Sequence, residues 1–376
     1  MYIHYVSGSR ADFGLMQKTL TGLSALPGLR LSVVVTGQHL LAEYGNTIQD
    51  IVASCLPIAA RIPVSLSGSS GAEMGRALAT ELLGFLDIWK TDRPDLVMVL
   101  GDRGEMLAAT LAAVHLGIHV AHLHGGELSG TLDESFRHAI SKLAHFHLVA
   151  TADSAERLRR MGESSERIWV VGAPGLVGLT DGGGRREGWL ARNLPLGTGR
   201  THRVLVVFHP VVQEATSAAD QISSLLQTLR SEGCAALVMR PNSDAGGAAI
   251  NRHLDALQAK DWLRIVDHLD RDTYLAALAQ ADAIIGNSSS GIIESATLGT
   301  PCLNLGSRQN GRLRNSNVVD CLDFAEPAIR RALRQTLALQ GPFENLYGDG
   351  RTTDRLAALL PSLPLDVAIL AKGNAY

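Results

Sequence analysis

Aromatic side chains are scarce in this chain: Phe, Trp and Tyr supply 5% of its 376 residues. Binders of single-stranded nucleic acid lay bases on aromatic platforms, so that class is disfavoured. An excess of charge of either sign is also missing. Lys and Arg number 34 against 37 Asp and Glu, a formal net charge of −3 with neutral histidines. No basic stripe is visible, and no nucleic-acid partner is expected. Cysteine is sparse: Cys55, Cys234, Cys302 and Cys321 are widely spaced and form no C-x-x-C pair. That spacing encodes neither a zinc site nor a disulfide framework, and reduced, buried thiols are expected. No apolar run approaches the roughly 20 residues that cross a bilayer, so no membrane partner is expected. The segment Met1-Tyr2-Ile3-His4-Tyr5-Val6-Ser7-Gly8 lacks the basic and apolar regions of an export signal. It reads as a first strand entering a loop, and a cytoplasmic location is expected.

What is present is a packed globular composition, 46% hydrophobic and 19% charged. The chain is too long for one core of ordinary size, which points to two domains or a single large one. Short apolar runs at Ile3–Val6, Leu31–Thr36, Leu96–Leu100, Ile118–Leu123, His147–Ala150 and Ile168–Val171 read as buried strands. Helical periodicity fills Ala72–Trp89, Gly104–Leu116 and Ser135–Ala144 between them. The glycine-rich, charged stretch 181–188 and the loop-like 193–203 interrupt this pattern as a linker. Alternation then resumes. Strands are expected at Val204–Phe208, Ala236–Met239, Leu263–Val266, Ala283–Ile285 and Cys302–Leu305, with helices at Ala219–Arg230, Ala248–Ala259, Asp272–Gln280 and Gly291–Leu298. The reading is α/β: two doubly wound domains, residues 1–178 and 200–356, with ligands in the cleft between them beyond the carboxyl ends of the strands.

Several strand ends carry chemistry. Ser7-Gly8-Ser9-Arg10-Ala11-Asp12 follows strand one, where small residues admit a ligand and Arg10 offers a charged fork, although an ordinary strand–helix turn has the same look. In Gly101-Asp102-Arg103-Gly104-Glu105, Asp102 is placed either for catalysis or as a helix N-cap with Glu105 completing a capping box. The densest cluster is His122-Leu123-His124-Gly125-Gly126-Glu127, followed by Asp133, Glu134, Arg137 and His138. Acid–base work suits so many titratable groups around a Gly-Gly turn. H-x-H alone does not make a metal site, and no metal is expected. Asp133 also suits a cap for a helix starting near Ser135, and His145 and His147 suit core or surface positions. Past the linker, Phe208-His209-Pro210 and Arg240-Pro241-Asn242-Ser243-Asp244 occupy the corresponding strand ends. Gly286-Asn287-Ser288-Ser289-Ser290-Gly291 joins a strand to a helix and offers hydroxyls and free N–H groups to a diphosphate, with Glu294 one turn further on. Three serines between glycines exceed the needs of a helix cap. No G-K-[ST] follows, so this is not a P-loop, and Gly8/Gly14 is not a dinucleotide fingerprint.

Together these pieces resemble the UDP-N-acetylglucosamine 2-epimerase family, and more closely its hydrolysing branch. The resemblance rests on G-S-R-A-D-F-G (8–14), V-T-G-Q-H (35–39), Y-G-N-T (44–47), G-D-R (101–103), H-L-H-G-G-E (122–127), R-H-A-I-S-K-L (137–143), F-H-P (208–210), P-N-S-D-A-G (241–246), G-N-S-S-S-G-I-I-E (286–294) and G-T-P-C-L-N-L-G-S-R-Q (299–309), in order along nearly the whole chain. It implies a glycosyltransferase-B-like pair of Rossmann-like domains, with a last helix from residue 357 onward crossing back to the N-terminal domain. It also implies UDP contacts from His209, Ser288, Ser289, Ser290 and Arg308, a ribose ligand in Glu294, and a further nucleotide-side contact from Asn242. Arg10, Asp12 and Arg103 would line the substrate site, and Asp102, His124, Glu127, Asp133 and Arg137 would form the sugar-side catalytic set. Several family members carry glutamate where this chain has His124, and the resemblance implies base and acid as a set rather than residue by residue.

The reaction so implied is elimination of UDP from a UDP-activated N-acetylated amino sugar, followed by hydration of a 2-acetamidoglucal to the free mannosamine. The sugar would be UDP-GlcNAc or UDP-2,4-diacetamido-2,4,6-trideoxyglucose, with no cofactor. A non-hydrolysing epimerase would release UDP-ManNAc instead, a glycosyltransferase of the same fold would need an acceptor, and a UDP-sugar sensor would not turn over. Relatives are often dimers or tetramers, and a homo-oligomer is expected.

Overall fold

A computed structural model describes the chain except for residues 43–44, 66–70, 130–132, 180–185, 242–245, 258–259 and 376. Asn242 and residues 181–185 of the expected linker therefore lie outside the described residues. The apolar runs become strands of two all-parallel sheets. In the first, β1 (Tyr2–Ser7), β2 (Arg30–Val35), β3 (Ile58–Arg61), β4 (Leu96–Leu100), β5 (His119–Leu123), β6 (Phe146–Val149) and β7 (Ile168–Val170) take the order β3-β2-β1-β4-β5-β6-β7. In the second, β8 (His202–Val207), β9 (Cys234–Met239), β10 (Leu263–Val266), β11 (Ala283–Gly286), β12 (Cys302–Leu305) and β13 (Val318–Cys321) take the order β10-β9-β8-β11-β12-β13. Both are doubly wound, and the chain reverses direction across the sheet between β1 and β4 and between β8 and β11. Ligands of such sheets collect at those switch points.

Covered parallel strands have no wet face, and β4 and β5 are buried at every residue. Alternate side chains serve two layers. Met98 and Leu100 pack with Phe13, Met16 and Leu20 of helix Arg10–Ser24. Val97 and Val99 pack with Phe85 and Trp89 of helix Gly71–Thr91 and with Met106 and Ala109 of helix Gly104–His115. The chain divides into one unit of Met1–Leu128, Leu132–Val177 and Tyr347–Tyr376, and a second of Ser129–Thr131 and Gly178–Leu346. Leu356, Leu360 and Leu363 of the segment Tyr347–Tyr376 pack in the first unit's core beside helix Arg10–Ser24. Among the described residues no helix is long and apolar enough to cross a membrane.

One helix differs markedly from expectation. The stretch 291–298 was expected to be helical, but the helix is a single turn, Ser289–Ile293. Side chains take the carbonyls that would have continued it. Ser295 Oγ donates to Gly291 O at 2.7 Å, Asn315 Nδ2 to Ile292 O at 2.8 Å, and Asn345 Nδ2 to Ile293 O at 2.7 Å. The chain can therefore leave the helix with those groups satisfied. Helix Glu326–Leu337, absent from the sequence reading, did carry a start signal in its Pro near the N-terminus.

Candidate active site

In the first unit the chemistry gathers where β4 and β5 end. After Leu100 the chain turns through Gly101 at φ 79°, a left-handed conformation suited to glycine. Asp102 follows. It does not cap the next helix, whose N-cap is Arg103 with no side-chain capping bond. Asp102 Oδ2 instead accepts a hydrogen bond from Arg137 Nη2 on helix Asp133–Leu143. The Arg137 side chain is 2% exposed and that of Asp102 21%. Burial works against the Arg137 cation, but the charges of Asp102, Glu127 and Glu134 outweigh it and raise its pKa. Its Nε and Nη1 atoms are buried with no hydrogen-bond partner among the described residues.

Strand β5 runs directly into His124, a non-glycine residue held at φ 59°. Its Nδ1 is hydrogen-bonded to Glu127 Oε1, and both side chains are buried. Gly126 (φ 72°) makes this turn possible, since a Cβ there would lie 2.4 Å from the Ser154 carbonyl oxygen. Arg157 Nη1 ties the Gly126 carbonyl down. His122 is a strut. Its Nε2 sits 2.7 Å from Gly101 O and its Nδ1 3.1 Å from Ser141 Oγ, and burial pushes its pKa down to about 3. Asp133 is the first residue of its helix rather than a cap for one beginning near Ser135.

The end of β1 is a scaffold. Asp12 completes a capping box with Ser9 and also accepts from Ser7 Oγ and from Gly8 N at 3.2 Å. Ser7 Oγ in turn lies 2.9 Å from His39 Nε2. Burial raises the Asp12 pKa against the pull of His39 and the serines. Arg10 Nε donates to Asp50 Oδ2 at 3.2 Å, and Arg103 Nε lies 3.5 Å from Glu105 Oε2.

The second unit assembles its site through Asn287, a residue whose role was not anticipated. Its side chain clamps the His209 backbone, accepting from His209 N at 2.7 Å and donating to His209 O at 2.7 Å. Its own carbonyl accepts from Arg308 Nη1 at 3.1 Å and Gln309 Nε2 at 2.8 Å. The ends of β8, β11 and β12 are thereby joined, bringing His209, Arg308 and the serine loop together. Gly286 at φ 138° allows β11 to pass β8, where a Cβ would meet Val207 O at 2.1 Å. Burial, helped by Arg308, lowers the His209 pKa to about 3, so the ring is neutral at neutral pH. Ser288 caps the short helix, its Oγ accepting from Ser290 N at 3.3 Å. Ser290 and Glu294 face inward: Ser290 Oγ donates to Glu294 Oε2 at 2.5 Å and accepts from Tyr274 OH at 2.7 Å, while Arg271 Nη2 donates to Glu294 Oε1. Glu294 is 1% exposed, so the expected ribose ligand stands here with both oxygens engaged. Arg271 and Tyr274 had no signal in sequence beyond their place at a helix start. Among the described residues no group of three or more His, Cys, Asp or Glu side chains is placed to hold a metal ion.

Two doubly wound sheets, one carrying acid–base pairs at its strand ends and the other a hydroxyl-rich cradle with an arginine, define an enzyme of Rossmann-like architecture. The model of the family described as UDP-N-acetylglucosamine 2-epimerase matches residues 22–361, and the chain belongs to that family. It is 45% identical, over 100% of its length and 99% of the relative's, to the UDP-N,N'-diacetylbacillosamine 2-epimerase (hydrolyzing) of Legionella pneumophila. It is 32% identical, over 84% of its length and 83% of the relative's, to the GDP/UDP-N,N'-diacetylbacillosamine 2-epimerase (hydrolyzing) of Campylobacter jejuni. The fold matches that of UDP-GlcNAc 2-epimerase from Neisseria meningitidis bound to UDP-GlcNAc, with a TM-score of 0.81 at 16% identity over 96% of this chain and 100% of that one.

Proposed function

We propose that this enzyme is a hydrolysing 2-epimerase that converts UDP-2,4-diacetamido-2,4,6-trideoxyglucose and water to UDP and the free 2,4-diacetamido-2,4,6-trideoxymannose. The observation that carries the choice of sugar is the 45% identity, end to end, with a relative named for that substrate. In this reading the C2 proton leaves as the C1–O bond breaks and the electron pair departs with UDP. Arg308, neutral His209 and the hydroxyls of Ser288 and Ser289 receive the developing charge on the diphosphate. Asn242 is a further nucleotide contact, and Arg10 and Arg103 hold the phosphate and sugar.

The proton-transfer group favoured by the geometry is His124. His124 Nδ1 faces the Glu127 carboxylate, and in the tautomer that donates from Nδ1 to Glu127 the Nε2 lone pair is the one available to a general base. Asp102, fixed by Arg137, and Asp133 are the remaining candidates for returning a proton to C2 as water adds at C1. The reading also takes the enzyme as a cytoplasmic homo-oligomer, and light scattering of the purified protein tests the assembly.

Incubation of the protein with each UDP-sugar alone in D2O tests the reaction. Expected are UDP, free mannosamine bearing deuterium at C2, and faster turnover of the diacetamido sugar than of UDP-GlcNAc. Retention of the original C2 hydrogen would exclude elimination, and accumulation of a UDP-mannosamine would exclude hydrolysis.

A further inference from the structure

Away from the reacting groups, a buried ionic hub holds the chain's last residues against helix Asp133–Leu143. Glu163 is buried, and its carboxylate lies 2.8 Å from His147 Nε2, 2.8 Å from Lys142 Nζ and 2.6 Å from Lys372 Nζ. Lys372 Nζ also donates to the carbonyls of Ser141 at 2.8 Å and Ala144 at 2.7 Å. Carbonyls at a helix C-terminus have no partner within the helix, and a cation there is favoured by the helix dipole. Lys142 Nζ donates to Met161 O at 3.0 Å and Asn374 Oδ1 at 2.9 Å, and Ala375 N donates to Gly162 O at 2.9 Å.

A cavity of about 270 Å³ lies among Lys142, His145, Leu370, Lys372 and Asn374. The ammonium of each lysine is paired with Glu163 and hydrogen-bonded to two further protein oxygens, so the arrangement is a latch rather than a ligand site.

The latched helix end reaches the candidate active site by two routes. Ser141 Oγ is hydrogen-bonded to His122 Nδ1, and His122 Nε2 to the carbonyl of Gly101, the residue before Asp102. One turn earlier on the same helix, Arg137 donates to Asp102 itself. Helix, histidine strut and strand end thus form a closed ring of contacts, and Lys372 fixes the helix end that closes it.

We propose that Lys372 is a positioning residue for the Arg137–Asp102 pair, setting the depth at which Arg137 meets Asp102 by anchoring the carbonyl end of helix Asp133–Leu143. The functional part of this inference rests on the epimerase reading above.

Lys372→Met keeps the aliphatic stem and removes the anchor. Lys372→Met combined with Glu163→Gln also removes the carboxylate that would be left short of a counter-ion, and so separates loss of the anchor from loss of charge balance. The full-length variants would be compared with wild type by thermal melting, amide exchange of helix Asp133–Leu143 and steady-state kinetics. Expected in both variants, folded at the assay temperature, are amide exchange in that helix faster by about tenfold and kcat lower by about tenfold with KM within about twofold, the size of effect a small misplacement produces. Unchanged exchange and kcat in folded Lys372→Met would overturn the proposal. So would full recovery of kcat in the double variant, or failure of both variants to fold, which would make the residue a global stabiliser. If the wild-type protein turned over neither UDP-sugar, the epimerase reading would fall and the exchange rates alone would decide whether the latch holds.

Discussion

Replacing Asp102 with asparagine keeps the side chain's shape and removes its charge. Arg137 would then retain a buried guanidinium, 2% exposed, without its hydrogen-bonded carboxylate. Breaking a fully buried ion pair costs about 3–5 kcal/mol. Asp102 is 21% exposed, and Glu127 and Glu134 remain to offset the Arg137 charge. We therefore expect a smaller loss of stability, about 2 kcal/mol, seen as a lowering of the melting temperature by several degrees. The kinetic effect should be far larger than the structural one. A group that transfers or directs a proton contributes about 10²–10⁴ in rate, so kcat for UDP release should fall by about that factor. His209 and Arg308 belong to the second unit, and UDP affinity, measured by calorimetry, should stay within about twofold. A folded Asp102→Asn protein with kcat within about tenfold of wild type would refute the catalytic placement of this pair. Parallel loss of UDP affinity would show instead that the substitution acts through general disruption.

His124→Asn retains an amide that can bond Glu127, and asparagine tolerates the left-handed backbone at this position, so stability should change by about 1 kcal/mol or less while kcat falls by about 10²–10⁴; a similar rate in D2O product analysis for variant and wild type would count against His124 as the base. His209→Asn should weaken UDP binding by about tenfold through loss of a phosphate donor, and unchanged affinity in calorimetry would remove His209 from the cradle. Glu163 predicts an acid-sensitive fold. Burial raises its pKa, but hydrogen bonds from His147, Lys142 and Lys372 overcome this and leave it at about 2 against an ordinary 4.5. Its folded pKa is thus depressed, so its stabilisation is complete above about pH 4.5 and is lost as pH falls toward about 2. Thermal melts across that window should fall more steeply for wild type than for Glu163→Gln, and equal slopes would contradict the assignment.

The elements with the strongest local signals were legible. Strand β4, Leu-Val-Met-Val-Leu, is an unbroken apolar run ended by Gly101, and the alternation around it encodes a parallel sheet without help from distant residues. Strand β3, Ile-Ala-Ala-Arg, has no fully buried position, so its pairing with β2 is set by the neighbour rather than by its own pattern. The site was legible as a set of residue types and not as a set of pairs. Asp102 and Glu105 spell a capping box, yet Asp102 turns to Arg137, and nothing local records that choice. Lys372 and Glu163 are separated in sequence by the whole stretch Gly178–Leu346 of the second unit, with no motif at either end. Asn287 lay inside a recognised motif, but its clamp on His209 depends on β8 and β11 being neighbours, a fact of topology.

Carboxylates of equal prominence in the motifs have different environments, and these separate scaffold from chemistry. Asp12 is enclosed by donors from Ser7, Gly8 and Ser9, and Glu294 by Arg271 and Ser290. A carboxylate so surrounded orders its loop, and any exchange of protons or ligands there must first dismantle those bonds. The turn after β5 is built the other way. His124 is one of three non-glycine residues at positive φ among the described residues, a conformation costing about 1–2 kcal/mol for an ordinary side chain. The His124 N–H makes the last bond of the β5–β6 ladder, to Leu148 O at 3.3 Å, and the chain turns there, one residue past the end of β5 at Leu123. What the turn achieves is to bring His124 Nδ1 onto Glu127 and leave Nε2 with no hydrogen-bond partner among the described residues. Strain held by a hydrogen-bonded partner beside a tight glycine turn is a feature of reacting centres. It supports placing proton transfer at His124 and Glu127 and assigning a structural role to Asp12.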